Sequence, residues 1–395
     1  MTAPALQIAR SCPYAPPAQH VEMRESGGIS RVRLPSGRQA WAVSRLDLIR
    51  AMLSDPRFSS DRDHPNYPNL AAQPGPPPSG GFRKMLIQLD PPEHGPARRA
   101  VISEFTIRRA AALKPRIQEI VDGRIDEMLA GPRPADLVQA LSLAVPSLVI
   151  CELLGVPYAD HDFFQTRTAA ILSRDTPPQQ RGATYAALRT YLNDLVHNKV
   201  REPGDDVLSR RLAAGADPQD VVALAFLLLV AGHETTANMI SLGVLTMLER
   251  PEQLAELRAD PARMPVAVEE LLRYFTIVEY GNSRVATADV ELGGVTIRAG
   301  EGVVSLSNTA DHDPAVFPGA DELKLDRGAR HHLAFGFGPH QCLGQNLARA
   351  ELDIVFSTLF RRVPTLRLAV PAGELPFKTD ATIYGIHRLP VTWEQ

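Results

Sequence analysis

At 395 residues the chain is long enough to bury a large core, and 44% hydrophobic against 22% charged residues is the balance of a globular protein. A formal net charge of −3 provides no electrostatic footprint for nucleic acid. The three cysteines, Cys12, Cys151 and Cys342, stand far apart with neither a C-x-x-C pair nor zinc spacing, which argues against a disulfide scaffold and suits a reducing cytoplasm.

The first ten residues hold no apolar core of signal-peptide length, so a soluble protein is expected. Residues 31–34 and 39–43 read as short strands around Pro35-Ser36-Gly37, a hairpin signal. Residues 47–53 are helical in pattern and stop before Pro56. Between 64 and 81 proline and glycine are dense. The segment before them is too short for a core of its own, so a long ordered loop over a binding site is expected, not an interdomain linker. Asp90-Pro91-Pro92 reads as a helix start and sets His94 and Arg98, four apart, on one face. Two cationic donors so placed suit a pair of carboxylates, although many such pairs are merely solvated.

From 106 to about 201 the pattern is helical, interrupted at Gly131-Pro132-Arg133-Pro134, Gly155-Val156-Pro157 and Thr176-Pro177-Pro178. Its first helix opens on a basic cluster of Arg108, Arg109, Lys114 and Arg116. Asp217-Pro218 begins the longest helix, with Asp as N-cap and Pro at the first helical position. Residues 221–231 are apolar all round, so this helix should be central and buried. The apolar run to Gly232 is shorter than the roughly 20 residues a membrane span needs.

Gly232-His233-Glu234-Thr235-Thr236 then places an acid and hydroxyls in the middle of an apolar rod. Such groups are costly unless paired. Glycine with threonine loosens the hydrogen-bond ladder, so a kink with an opened, water-holding carbonyl is expected, the helix running on to 249. Glu270 and Arg273 are close enough to touch at i, i+3. Arg284 leads a strand, Gly-Gly turn, strand pattern that ends at Gly300.

Residues 331–344 set a lone cysteine in a loop of glycines and a proline, directly before an apolar-periodic helix (Leu347, Ala350, Leu352, Ile354, Val355, Leu359). Gly336 and Gly338 permit sharp turns and close approach to something flat. The helix N-terminus after Cys342 favours an anionic sulfur, hence a metal ligand or a nucleophile; a buried inert thiol is the plainer alternative.

Phe335-x-x-Gly338-x-His340-x-Cys342-x-Gly344 resembles the haem-binding loop of the cytochromes P450, the haem-thiolate monooxygenases. Ala231-Gly232-x-Glu234-Thr235-Thr236 resembles the oxygen-activation motif of the same family, and the likeness runs from about Cys12 to Trp393. Ser11-Cys12-Pro13-Tyr14 and Phe58-Ser59-Ser60-Asp61-Arg62 make it most similar to soluble actinobacterial hydroxylases of secondary metabolites and xenobiotics. The resemblance implies a mainly α fold, one large helical domain over residues 1–395 with small β-sheets, and haem b (iron protoporphyrin IX) as cofactor. It implies Cys342 as the iron ligand and His94, Arg98, Arg284 and His340 as the propionate-binding set. Glu234 and Thr235 would form the proton relay, and Glu270 with Arg273 a buried structural pair. Ile87, Leu228, Ala231, Val278, Glu279 and Ile383 would line a mostly apolar substrate pocket with Glu279 as its polar anchor. Where the family usually has Asn-Arg-Asp-Pro, this chain has Asp311-His312-Asp313-Pro314, which unsettles the salt-bridge network expected there.

The activity implied is insertion of one atom of O2 into an apolar small-molecule substrate. No flavin or iron–sulfur motif is present, so NAD(P)H-derived electrons would arrive through ferredoxin reductase and ferredoxin. Arg98, Arg99, Arg108, Arg109 and an exposed Arg349 would offer the ferredoxin a basic face. Neither nucleic acid nor membrane is an expected partner. Oxidative coupling, epoxidation or desaturation are alternative outcomes with the same cofactor. A haem-based gas sensor is the alternative of another class, but it would need no relay acid.

Overall fold

The structure, a computed structural model, describes residues 3–71, 81–379 and 381–394; residues 72–80 of the expected Pro/Gly-rich loop lie outside the described residues. The chain begins with α1 (Ala18–Glu25), β1 (Ile29–Arg33), β2 (Gln39–Val43), α2 (Leu46–Ser54) and β3 (Phe58–Ser59). A long helical stretch follows: α3 (His94–Ile102), α4 (Ile107–Ala130), the short β4 (Ala135–Asp136), α5 (Ala144–Leu154), α6 (His161–Leu172), α7 (Pro178–Arg201), α8 (Val207–Ala213) and α9 (Pro218–Leu248). Then come α10 (Pro251–Ala259), α11 (Met264–Phe275), β5 (Arg284–Ala286), β6 (Val290–Leu292), β7 (Val295–Ile297), β8 (Gly302–Ser305) and α12 (Ser307–Asp311). The chain closes with α13 (Gln345–Arg362), β9 (Arg367–Leu368) and β10 (Pro390–Thr392). This is the mainly α architecture with small sheets that the resemblance implied.

Helix α3 begins four residues later than Asp90. The reason is that the Asp90 carboxylate is spent elsewhere, accepting from the Ser60 backbone N–H at 2.8 Å and from the Ser60 hydroxyl at 2.9 Å, so it fastens the end of β3 and caps no helix.

The principal sheet has the order β1-β2-β8-β5-β3, with only β2 and β8 parallel. The β3–β5 register pairs Ser59 with Val285, which lays Ser60 beside Arg284.

Helix α9 is the axis of the molecule. Asp217 caps it by accepting from Gln219 N–H, and Pro218 opens it, as the pattern predicts. Its first half, Val221 to Leu229, is buried with Leu188, Leu192 and Val196 of α7 and Ile150 and Leu154 of α5. Its second half, Met239 to Met247, is buried in a different cluster with Val355, Phe356 and Leu359 of α13 and Ile117 to Ile125 of α4. The polar segment 231–236 lies at the seam between the two. By length and composition α9 is apolar enough to cross a membrane, but most of that stretch is packed inside the protein. Fully burying each such Val, Leu or Phe is worth about 1.5–3 kcal/mol, which makes α9 the largest single contributor to the core.

Glu270 and Arg273 are fully buried and joined twice, Nε to Oε2 and Nη2 to Oε1, both at 2.8 Å. Oε1 also accepts from Arg327 Nε at 3.1 Å and from Lys324 N–H at 3.0 Å. Arg273 Nη1 donates to the Asp311 carbonyl at 2.7 Å, and the Asp311 carboxylate accepts from Leu333 N–H at 2.9 Å and Thr276 Oγ1 at 2.7 Å. The altered segment at 311–314 therefore carries the network; the doubt raised by its sequence is resolved by Asp311. Burial pushes the Asp311 carboxyl up to about 6, the groups bonded to it pulling the other way. The whole cluster clamps α11 onto the residues just before the cysteine loop.

Glu269, one residue earlier, grips the same region from outside. It accepts from Arg349 Nη2 and from His332 Nε2, both at 3.1 Å, and the Arg349 guanidinium lies 4.5 Å from the Phe335 ring. Arg349 is thus tied down and only partly exposed, where the sequence suggested a free surface cation.

Two outcomes follow. Glu270→Ala strands two buried guanidinium groups and should cost about 3–5 kcal/mol of stability in urea unfolding, against under 1 kcal/mol for a surface pair. For Glu269, burial raises the carboxyl, but His332 and Arg349 more than reverse this and take it from 4.5 to about 2. Its contribution is therefore present above pH 4.5 and lost as pH falls towards 2. Such a depression is worth about 3 kcal/mol in all, shared between two partners. Arg349→Met should cost about 1–2 kcal/mol at neutral pH, and its deficit should shrink through that acid window in paired urea titrations.

Candidate functional site

The cysteine loop is closed by Cys342 N–H donating to the Phe335 carbonyl at 2.8 Å, with Gly336 N–H to Leu333 O and Gln341 N–H to Gly338 O inside it. Gly336 and Gly338 both have φ near +70°, which side chains rarely adopt. A Cβ on Gly338 would also sit 2.8 Å from the Leu53 carbonyl at the end of α2. The loop is therefore pinned against α2 on one side and runs into α13 on the other, leaving Cys342 three residues ahead of the helix.

Burial pushes the Cys342 thiol up, outweighing the N–H groups of Gly344 and Gln345 and the charges of Arg98 and Arg349 that favour thiolate. The expected anionic sulfur is thus not produced by the helix N-terminus alone, because desolvation costs more than the dipole returns. A coordinated metal ion would deprotonate such a thiol outright.

Beside the loop stand four residues drawn from three distant stretches. The rings of His94 and His340 are 4.0 Å apart, and Arg98 Nη2 donates to the Gln341 carbonyl at 2.7 Å. His340 Nε2 lies 3.2 Å from Ser60 Oγ. Arg284 is 5% exposed, donates to the Ser283 carbonyl at 2.8 Å and makes no salt bridge among the described residues. Burial, then Arg284 and His94, push His340 down to about 3; burial and Arg98 push His94 down. His94 Nε2 is buried with no hydrogen-bond partner among the described residues. These groups depress one another because positive charge converges here, with Asp90 the carboxylate against it among the described residues. A buried, unpaired guanidinium costs several kcal/mol unless an anion meets it. The sequence reading of His94, Arg98, Arg284 and His340 as one set is therefore matched by their proximity. Ser60 and Asp90 join it; the sequence marked them only as part of the likeness at residues 58–62 and as a helix start, not as members of this set.

Helix α9 continues through its polar segment, as its expected run to about 249 requires. Thr235 Oγ1 donates to the Ala231 carbonyl at 2.9 Å, so the side chain itself engages the carbonyl expected to hold water. Ala231 is exposed and Gly232 and Thr235 partly so, although their neighbours on the helix are buried; protein atoms leave space against this face. His233 faces away, with Nδ1 donating to Leu229 O at 2.7 Å and Nε2 meeting Thr168 Oγ1 at 3.0 Å. Glu234 Oε1 is 3.0 Å from Lys378 Nζ, a contact across 144 residues that no local pattern announces.

Of the expected pocket residues, Leu228 and Ile87 belong to the cluster around the first half of α9, and Val278 and Ile383 to that around the second. Together with Ala231 they flank the seam. Glu279 is not a free anchor: its carboxylate is paired with Arg10, whose guanidinium also donates to Phe275 O and lies 4.0 Å from the Tyr384 ring. The N-terminal strap had given no sign of reaching this far.

A buried thiol at the mouth of a glycine loop, a nest of uncompensated cations, and an unfilled face of a buried helix suit one kind of group. It is flat, bears carboxylates at one edge and a thiophilic metal at its centre, as an iron porphyrin does.

Comparison with known proteins agrees. A family model for cytochrome P450 matches residues 192–365. Pentalenic acid synthase of Streptomyces avermitilis is 52% identical over 97% of this chain and 96% of its own. Vitamin D3 dihydroxylase of Streptomyces griseolus is 48% identical over 99% of this chain and 97% of its own. The crystal structure of cytochrome P450 MoxA from Nonomuraea recticatena superposes with a TM-score of 0.89 at 56% identity, covering 99% of this chain and 98% of that one. With loop, cation nest and helix motif all in place, the chain belongs to the cytochrome P450 family of haem-dependent monooxygenases.

Proposed function

We propose that the protein is a cytoplasmic, single-domain monooxygenase that binds haem b through Cys342 and hydroxylates an apolar secondary metabolite or xenobiotic. The observation that carries the site assignment is the gathering of Arg284, His94, His340 and Arg98 at the loop that ends in Cys342, with no salt bridge to Arg284 among the described residues. Haem, when bound, activates dioxygen and inserts one oxygen atom into an unreactive C–H bond, using electrons from an external donor.

The residues of the chain would then divide the work. Cys342 Sγ would ligate the iron, and Arg284, Arg98, His94 and His340 would receive the propionates, which offsets the cost of burying those groups. His94 Nε2 would gain the partner it lacks. Thr235 would hold its hydroxyl at the open face of α9, and Glu234 would bring protons to it from the protein side. Leu228, Ala231, Val278, Ile87 and Ile383 would exclude water and orient an apolar substrate by shape. Pentalenic acid synthase and vitamin D3 dihydroxylase, by their names, act on compounds of this general character.

Electrons would come from a ferredoxin at the face formed by α3 and the start of α4. Arg99, Arg108 and Arg109 are exposed there, and Ile107 and Ile102 are 76% and 44% exposed between them, an unusual cost for large apolar side chains on a surface. Arg98 is turned inward and Arg349 is paired, so neither contributes a free charge. An apolar centre with a basic rim suits an acidic partner that docks transiently.

Reconstituted with haem, reduced and exposed to carbon monoxide, the protein should show the long-wavelength Soret band of thiolate ligation, and Cys342→Ser should abolish it. Wild-type protein without that band would end the assignment. Ile107→Glu places an acid in the first turn of α4, where the helix dipole tolerates it. It should slow ferredoxin-driven reduction about tenfold at low salt with unfolding unchanged, in stopped-flow traces of the carbon monoxide complex.

A further inference from the structure

We infer that Lys378 is a positioning residue for Glu234, and that the C-terminal hairpin bearing it couples occupancy of the substrate pocket to the proton relay. This rests on the reading of Glu234 as the relay acid.

The pair is shielded, with side-chain exposures of 11% for Lys378 and 9% for Glu234. Enclosure favours the paired state, so the groups part only under a displacement imposed by something bound beside them. At Lys378 the chain forms a narrow hairpin stem: Lys378 N–H donates to Gly385 O at 2.8 Å, and Phe377 bridges to Ile386. It lies directly on α9. A Cβ on Gly385 would fall 1.9 Å from Asn238 Oδ1, and Asn238 Nδ2 donates to the Glu234 carbonyl at 2.8 Å, so hairpin and acid share one turn of helix.

The same hairpin meets the other parts of the pocket. Ile383, a candidate substrate contact, is at its turn, and the following Tyr384 lies under Arg10, the partner of Glu279. Among the described residues its outer attachments are Thr382 N–H to Leu172 O, Tyr384 N–H to Ile277 O, a bridge of Ala381 to Ser173, and Arg174 Nη2 to Thr379 O. A molecule pressing on Ile383 therefore moves the strand that carries Nζ. Filling the pocket lengthens the ion pair and frees Oε1 to take up a proton and pass it towards Thr235. An empty pocket leaves the carboxylate engaged, which withholds protons when no substrate is there to be oxidised.

The chain has only five lysines, Lys84, Lys114, Lys199, Lys324 and Lys378, so their reactivity can be followed singly. The haem-loaded protein is acetylated with acetic anhydride and the rates are read by peptide mass spectrometry. The probe ligand is clotrimazole, a bulky azole that fills haem pockets. Lys199, 8% exposed and paired with Asp206, is the internal control. Lys378 should label slowly in the free enzyme, several-fold faster with clotrimazole, and several-fold faster in Glu234→Gln, with Lys199 unchanged. Lys378 labelling indifferent to both would overturn the coupling and leave the relay reading standing.

Turnover supplies the second arm, with 7-ethoxycoumarin as probe and peroxide released per NAD(P)H as readout. Lys378→Met should alter the peroxide yield and the solvent isotope effect with KM within about twofold, and Lys378→Arg should restore both. A change in KM alone would reduce Lys378 to a structural role. Should Glu234→Gln leave peroxide yield and isotope effect at wild-type values, the relay reading itself fails, whatever Lys378 does.

Discussion

Positive charge buried without a partner is the constraint around which this molecule is arranged. Arg284 at 5% exposure, with Arg98, His94 and His340 crowding the same space, is a configuration a folded chain does not adopt cheaply. Among the described residues Asp90 is the carboxylate that answers it, and Asp90 is already committed to Ser59 and Ser60. The nest is assembled by β5 beside β3, by α3 and by the cysteine loop, so sheet, helix and loop all converge on a site that the protein's own atoms leave electrostatically incomplete. The proposed haem completes it, and on that reading folding and cofactor binding share one free-energy account.

The rigidity that makes this possible lies elsewhere. The Glu270–Arg273–Arg327 cluster and the Glu269–His332–Arg349 cluster sit on neighbouring residues of α11 and hold the approach to the cysteine loop from two directions. Neither touches the thiol. Their effect is to remove freedom from the backbone before Cys342, so that the loop's left-handed glycines can direct the sulfur without further support.

Helix α9 solves a different problem. A rod buried at both ends in separate apolar clusters holds its charged and imidazole groups at the junction, and they and their neighbours find partners there: Thr235 the Ala231 carbonyl, Asn238 the Glu234 carbonyl, His233 Leu229 and Thr168, and Glu234 Lys378. The side chains supply these partners close at hand.

Much of this was legible in the chain alone, for a reason that particular residues make plain. The cysteine loop, the Ala231 to Thr236 motif, the His94/Arg98 pair and the Glu270/Arg273 pair each depend on residue types at spacings under ten, which turns and helices translate directly into geometry. Helix α9 with its Asp-Pro cap, and the first hairpin, were legible on the same grounds. Other features belong to tertiary structure. Arg10 meets Glu279 across 269 residues, Glu234 meets Lys378 across 144, and Glu269 meets Arg349 across 80. A charged side chain shows in sequence only that it needs a partner or water; which of the two it finds depends on how distant segments pack. The motifs, through the family they resemble, determined the fold and the chemistry to expect, while packing alone decided which charges are free to act, because burial and pairing are properties of the assembled interior.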